Sequence, residues 1–344
     1  MNQMARMPTA AVSSVATSAD AFASRCDKTP DHVGMWYEAR RRFDIDDRMW
    51  FGFYERGESA PEWKTLSHRH GDGIGGLSVL LKARGHDVGP LPAGRPMPVP
   101  GWKELWRTRR KVEAPVPSIN WKTLDAAAAR SHSHVPVSLL LTSEQTRAIE
   151  AAAVTAGVSS TVWLLWTADR AVRSTLAGAD SVMDWVFPVN MRGSVACADP
   201  YMNHSSGFPV HIASGLLPLQ VKQQIAARFA RHEQWRSWML LTLGRWIGQR
   251  GVNLLYRLVQ APPGRHTGSY SNMGEWNVPG LDGLTCSAPG SPAYPVAVST
   301  MLCNGRRSLA CRLHPVVGGS SVRAIEFLTL WRELSCTADS LSGW

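Results

Sequence analysis

Between Ser67 and Gly76 the chain reads Ser67-His68-Arg69-His70-Gly71-Asp72-Gly73-Ile74-Gly75-Gly76, with two imidazoles and a carboxylate inside five residues. A neutral imidazole, whose unperturbed pKa is about 6.5, takes a proton from a weakly acidic hydroxyl or amine as that group attacks a carbonyl. Clustered imidazoles and carboxylates are equally the ligand types of zinc. Glycines at 71, 73, 75 and 76 let the backbone pass close to a ligand, so the segment has the composition of a site loop.

The elements on either side fit that role. Arg48 to Glu55 and Trp63 to Ser67 read as strands flanking a turn near Gly57, and Ile74, Leu77, Leu80 and Leu81 recur at helical spacing up to a stop at Gly85. The motif therefore lies between a strand and a helix. From Pro90 to Pro117 the prolines crowd around a basic stretch, Arg107, Arg109, Arg110 and Lys111, which reads as a linker between lobes. Beyond it, Val135 to Leu141 predicts a strand, Thr142 with Gln145 a capping box, Gly157 a helix end and Ser159 or Ser160 a new start. A strand beginning near Val182 ends in Val186-Phe187-Pro188-Val189-Asn190-Met191-Arg192. Such alternation predicts an α/β lobe.

His68-x-x-x-Asp72-Gly73 resembles the H-x-x-x-D-G signature of the condensation-domain and chloramphenicol-acetyltransferase-like superfamily of CoA-dependent acyltransferases, which includes the wax ester synthases. Three later landmarks follow in family order. The run from Val135 to Arg192 is similar to the start of the second lobe, Asn203 to Val210 resembles the strand beside the arginine-bearing one, and Tyr270 to Trp276 resembles the S-N-x-G segment of wax-synthase-like members. Ser67 stands where the double-His form has its first histidine. The stretch before the motif is short for the family.

The resemblance implies two chloramphenicol-acetyltransferase-like lobes with the active site in a channel between them. The expected division is a disordered leader over 1–28, an N-terminal lobe with motif and linker over 29–122 and a C-terminal lobe over 123–344. It implies an acyltransferase that moves an acyl group from a thioester to a hydroxyl or amine, with His68 as general base and no covalent acyl-enzyme. Asp72 then points away from the substrate and pairs with Arg192, the Gly73 N–H faces the developing oxyanion, and Ser271 and Asn272 are lesser candidates for that task. His70 is a supporting residue. The implied co-substrate is a coenzyme A or phosphopantetheine thioester, with no permanently bound cofactor or metal, and the acceptor is a small molecule, lipid or sugar.

A net charge of +10 suits anionic partners such as acyl-CoA, an acidic acyl carrier protein or a membrane surface. No basic run is interleaved with aromatics, so nucleic acid is not expected. The helical stretch from Leu216 to Gln260 carries Trp238, Trp246, Leu254 and Leu255 with Arg245, Arg250 and Arg257; it suits a membrane surface, an acyl tunnel or packing on its own lobe. Six scattered cysteines and an N-terminal segment interrupted by serines predict the cytoplasm, and no apolar run reaches the length of a transmembrane helix.

Two other readings use the same residues. His68-x-His70-x-Asp72 resembles the zinc motif of metallo-β-lactamase-fold hydrolases, with Gly73 where a third histidine belongs and His132 and His134 as later ligands. Alternatively, the chain is a catalytically silent binding module of the condensation-like fold.

Overall fold

The computed structural model describes residues 32–92, 94, 96–101, 103–104, 118–195 and 199–337. The leader, the basic stretch from Arg107 to Lys111, Pro115, Pro117, Cys26 and Cys197 lie outside the described residues.

Strands β1 (Arg48–Glu55) and β2 (Glu62–Ser67) form a hairpin, and helix α2 (Gly73–Ala83) follows the motif. Next come β3 (Val137–Leu140), α3 (Ser143–Thr155), α4 (Ser160–Thr175), β4 (Met183–Asn190) and β5 (Ser205–Ile212). The Thr142 and Gln145 capping box is present, and Gly157 turns the chain with φ of +70°. Ahead of all these is α1 (His32–Arg42); after them stand α5 (Pro218–Ala230), α6 (Glu233–Thr242), α7 (Gly244–Val259), β6 (Gly268–Trp276), β7 (Leu281–Ser287), β8 (Val296–Cys303), β9 (Arg306–Leu313) and α8 (Ser321–Cys336).

Two sheets result. The larger has the order β3-β9-β8-β6-β4-β5, with β6 parallel to β4 and β8 and the other pairs antiparallel. The smaller has the order β2-β1-β7. Its third strand corrects the expected division near residue 122: Trp50 to Glu55 pair with Leu281 to Ser287, so the C-terminal region completes the first sheet. The physical reason is that a lone hairpin is marginal in water, and β1 is buried along nearly its whole length. The core under this sheet likewise joins Phe51, Phe53, Leu77 and Leu81 to Met273, Trp276, Leu284 and Met301.

The larger core centres on α4, whose residues Val162 to Val172 are all buried. Asp169, inside it, is paired with Arg173 at 2.7 Å and accepts from Trp185 Nε1 at 2.9 Å, so the buried charges are matched. Helix α8 packs on α4, with Trp331 Nε1 donating to Leu164 O at 3.0 Å and Trp163 Nε1 to Ser335 O at 2.8 Å. Helix α1 is held on α6 and α7 by Trp36 Nε1 donating to Leu241 O (3.0 Å) and Gln249 Nε2 to Met35 O (2.9 Å). No single helix among the described residues is long and apolar enough to cross a membrane.

The pairing of β6 with β8 depends on Gly268, because a Cβ there would stand 1.6 Å from the backbone oxygen of Val296. Gly268→Ala should therefore destabilise the protein by about 3 kcal/mol or prevent folding. Urea unfolding followed by circular dichroism measures this; an unchanged midpoint would mean that the two strands have room to part.

Candidate active site

Strand β2 delivers His68 and helix α2 anchors the other end of the motif. The His68 N–H donates to Asp47 O at 2.7 Å, and Ser67 Oγ donates to the Asp47 carboxylate. Asp72 caps α2: its Oδ1 accepts from the Gly75 N–H at 2.8 Å. The same carboxylate receives both ends of the Arg192 guanidinium, NH1 to Oδ2 at 2.6 Å and NH2 to Oδ1 at 2.8 Å, and the His204 N–H reaches Oδ2 at 3.0 Å. Four donors thus satisfy one buried carboxylate. Arg192 also donates from Nε to Pro200 O (3.0 Å), from NH2 to Met202 O (2.9 Å) and from NH1 to Asn190 Oδ1 (3.5 Å). Glycine is needed at 75, since a Cβ would meet Tyr201 O at 2.1 Å.

His68 is only 9% exposed. Tyr37 of α1 stacks on its ring at a centroid distance of 4.3 Å. Burial lowers the imidazole pKa to about 4, the nearby Asp72 charge opposes that shift, and the Arg40 charge adds to it. His68 is therefore neutral across the physiological range.

Its tautomer follows from Asn203, a 2% exposed residue that carried no assigned role in the sequence. Asn203 Oδ1 accepts from the Ser205 N–H at 3.0 Å and Ser205 Oγ at 2.5 Å, which fixes the amide orientation. Its Nδ2 then faces His68 Nδ1 at 2.7 Å and His68 O at 3.2 Å. An amide nitrogen only donates, so Nδ1 is the acceptor and Nε2 carries the proton in this arrangement.

These groups border a cavity of ≈ 660 Å³. Its floor is one face of the larger sheet: Asp184, Val186, Pro188 and Asn190 alternate along β4, with matching positions of β5 and β6. Tyr37 and Arg40 of α1 and Ser237, Leu240 and Leu241 of α6 form walls. Asp72, Gly73, Ser271 and Asn272 also line it. Gly73 opens α2, where first-turn amides have no intrahelical acceptor. Asn272 is a poor donor to the cavity because its Nδ2 donates to Thr161 Oγ1 at 2.6 Å and its Oδ1 accepts from the Gly274 N–H. His70 does not line this cavity; its imidazole is influenced by Arg69, Asp47 and Arg41, after a dominant effect of burial that lowers its pKa.

A second imidazole cluster lines the same cavity. Asp184 Oδ2 lies 2.6 Å from His266 Nδ1 and Oδ1 lies 3.3 Å from His211 Nδ1, its cross-strand partner. Burial alone would raise the Asp184 pKa, but the hydrogen bonds from His211 and His266 hold it well below the carboxylate range. Nothing in the sequence announced this grouping, since its members lie on β4, on β5 and just ahead of β6.

The zinc reading does not fit the residues. Asp72 has both oxygens occupied by donors, and His132 Nε2 lies 3.7 Å from the Asp44 carboxylate. Among the described residues no three His, Cys, Asp or Glu side chains are grouped to hold a metal ion.

No protein-family model matches the chain, and no curated protein matches it in sequence. Solved structures do match its fold. One is polyketide synthase associated protein 5 from Mycobacterium tuberculosis, 16% identical with a TM-score of 0.46, covering 84% of this chain and 76% of that one. Another is a trichothecene 15-O-acetyltransferase from Fusarium sporotrichioides, 13% identical with a TM-score of 0.49, covering 84% and 70%. A third is the wax ester synthase/diacylglycerol acyltransferase from Marinobacter aquaeolei VT8, 14% identical with a TM-score of 0.45, covering 82% and 67%. Condensation domains are among the other neighbours.

Because Asp72 and Arg192 are both buried, Asp72→Asn and Arg192→Met should each cost about 3 kcal/mol or more by stranding the partner's charge. The double variant should lose less than the sum. A denaturant double-mutant cycle tests this, and losses additive within about 0.5 kcal/mol would show that the pair is not coupled.

Proposed function

We propose that the protein transfers an acyl group from a thioester, carried by coenzyme A or by the phosphopantetheine of a carrier protein, to a hydroxyl or amine acceptor, with His68 as general base. The observation that carries this reading is the buried bidentate Asp72–Arg192 pair, which holds the His68 loop against a cavity of ≈ 660 Å³. The acceptor heteroatom attacks the thioester carbonyl and gives its proton to His68. The tetrahedral intermediate collapses, the C–S bond breaks and the thiolate leaves with that proton. The Gly73 amide at the positive end of α2 and the Ser271 hydroxyl are the preferred oxyanion donors; Asn272, bonded to Thr161, drops behind them. The acceptor class, from sugar to lipid to amine, is left to experiment, and a cytoplasmic setting is part of the proposal.

The tautomer adds a requirement. A base acting through Nε2 needs Nδ1 to hold the proton, and the backbone of His68 and Gly71 beside the ring favours its protonated form. Asn203 must then release Nδ1 while keeping its bond to His68 O. The resting state is thus one proton shift away from the basic form.

His68→Ala should lower transfer by about 100-fold or more without unfolding the chain. Intact-mass detection of acyl transfer from a thioester panel to candidate acceptors provides the assay. Near-wild-type transfer by a folded His68→Ala protein would remove His68 from the chemistry, and no transfer by either protein would favour a silent binding module.

The acid limb of kcat/KM should fall near pH 4, where His68 becomes protonated and can no longer accept a proton. Asn203→Asp keeps the oxygen that Ser205 binds and puts an acceptor beside Nδ1, so it should raise the His68 pKa and move that limb upward. An unmoved limb would show that Asn203 does not govern the imidazole.

A further inference from the structure

Between residues 234 and 274 the chain carries Arg236, Arg245, Arg250, Arg257 and Arg265 and no aspartate, glutamate or lysine. All of α7 lies within this stretch, as does α6 except its first residue, Glu233; Trp235 and Trp238 of α6 are buried, while other large apolar side chains face outward. Trp246 is 87% exposed, Leu258 71%, Leu254 59% and Leu240 55%, with Leu243 and Ile247 beside them. Gly248 breaks α7 with φ of +65°: before the break Arg245, Trp246 and Ile247 are exposed, and after it the exposed positions 250, 254, 257 and 258 recur at three- and four-residue spacing, so Arg250 and Arg257 share one stripe with Leu254 and Leu258. The inner side of α7 packs on α1 and the turn just after it through Gly244, Gln249 and Tyr256, and the face described above stays exposed.

A tryptophan and several leucines held in water across two consecutive helices cost free energy that a covering surface would recover. The charge decides which surface. Arginines without a single acid over forty residues suit an anionic lattice, and the alternation of indole and leucine with guanidinium is the composition of a helix lying in a membrane interface. A self-complementary protein interface would set these arginines against one another.

We infer that the outer face of α6 and α7 docks on anionic phospholipid bilayers, with Trp246, Leu254 and Leu258 entering the interface and Arg250 and Arg257 meeting the headgroups. Leu240 belongs both to this face and to the cavity wall, so the docked surface adjoins the cavity. On the acyl-transfer reading, which only this clause rests upon, a long acyl or alkyl chain passes from the bilayer into the cavity beside Leu240.

Co-sedimentation of the full chain with vesicles tests the inference without turnover. The protein should pellet with equimolar phosphatidylcholine and phosphatidylglycerol vesicles and stay in solution with phosphatidylcholine alone. The W246S/L254S/L258S variant, altered only at exposed positions, should keep the wild-type circular dichroism and bind at least about tenfold more weakly, and R250Q/R257Q should lose a similar factor. The His68→Ala chain should bind as wild type, so a failure of the acyl-transfer reading and a failure of docking are told apart. Equal binding to both vesicle types, no binding to either, or unchanged binding by W246S/L254S/L258S would overturn the inference. A concentration-dependent dimer in sedimentation velocity that this variant abolishes would also overturn it and assign the face to a second copy.

Discussion

The Asp72–Arg192 pair is the constraint on which the site depends. Taking both charges out of water costs several kcal/mol, and the cost is offset because every acceptor position on Asp72 is used. The pair is more than an ion pair, since its carboxylate also caps α2 and its guanidinium gathers the carbonyls of residues 200 and 202. One side-chain contact therefore sets the relative position of a helix end, a strand end and a loop, the helix end lying 120 residues from the strand end in sequence. His68, four residues before the carboxylate, inherits its place from them.

Burial acts on the imidazoles in a different way. His32, His68 and His314 all have pKa values lowered to about 4, chiefly by desolvation, so each is neutral when folded. A group whose folded pKa lies below its unfolded one stabilises the fold fully above about pH 6.5 and loses that contribution as pH falls toward 4. The environment that keeps the candidate base ready thus makes the fold sensitive to acid in that window. His68 is held neutral by the same apolar wall, Tyr37 included, that shapes the cavity.

How much of this was legible in the sequence differs by the range of the interaction. Local signals read well: the strands around Gly57, the Thr142–Gln145 box, the turn at Gly157 and the helix behind Gly73 all depend on neighbours a few residues away. The partnership of Asp72 with Arg192 was legible only through the order of the family landmarks, because nothing local joins positions 120 residues apart. Asn203 and Tyr37 were not found, as a polar side chain gains its role from the ring it meets only after folding. The α6–α7 stretch shows another limit. Its periodicity revealed an apolar stripe, but periodicity cannot say which side of a helix faces the protein, and Gly248, with φ of +65°, interrupts the helix within it. The bond of Asn272 Nδ2 to Thr161 was likewise not legible, because it joins residues 111 apart.

The strand β7 has a consequence for the order in which the protein can be made. Until residues 281–287 have left the ribosome, β1 has one open edge and its buried aromatics have no complete core. The first sheet to be synthesised is therefore among the last to close, and it must wait across more than two hundred residues with an apolar edge unpaired. That long-range closure is slow by topology and exposes the kind of edge that templates misassembly. In the nascent chain the motif loop, already translated, has neither Arg192 nor β7 to hold it, so the site assembles only when the two halves of the polypeptide have met.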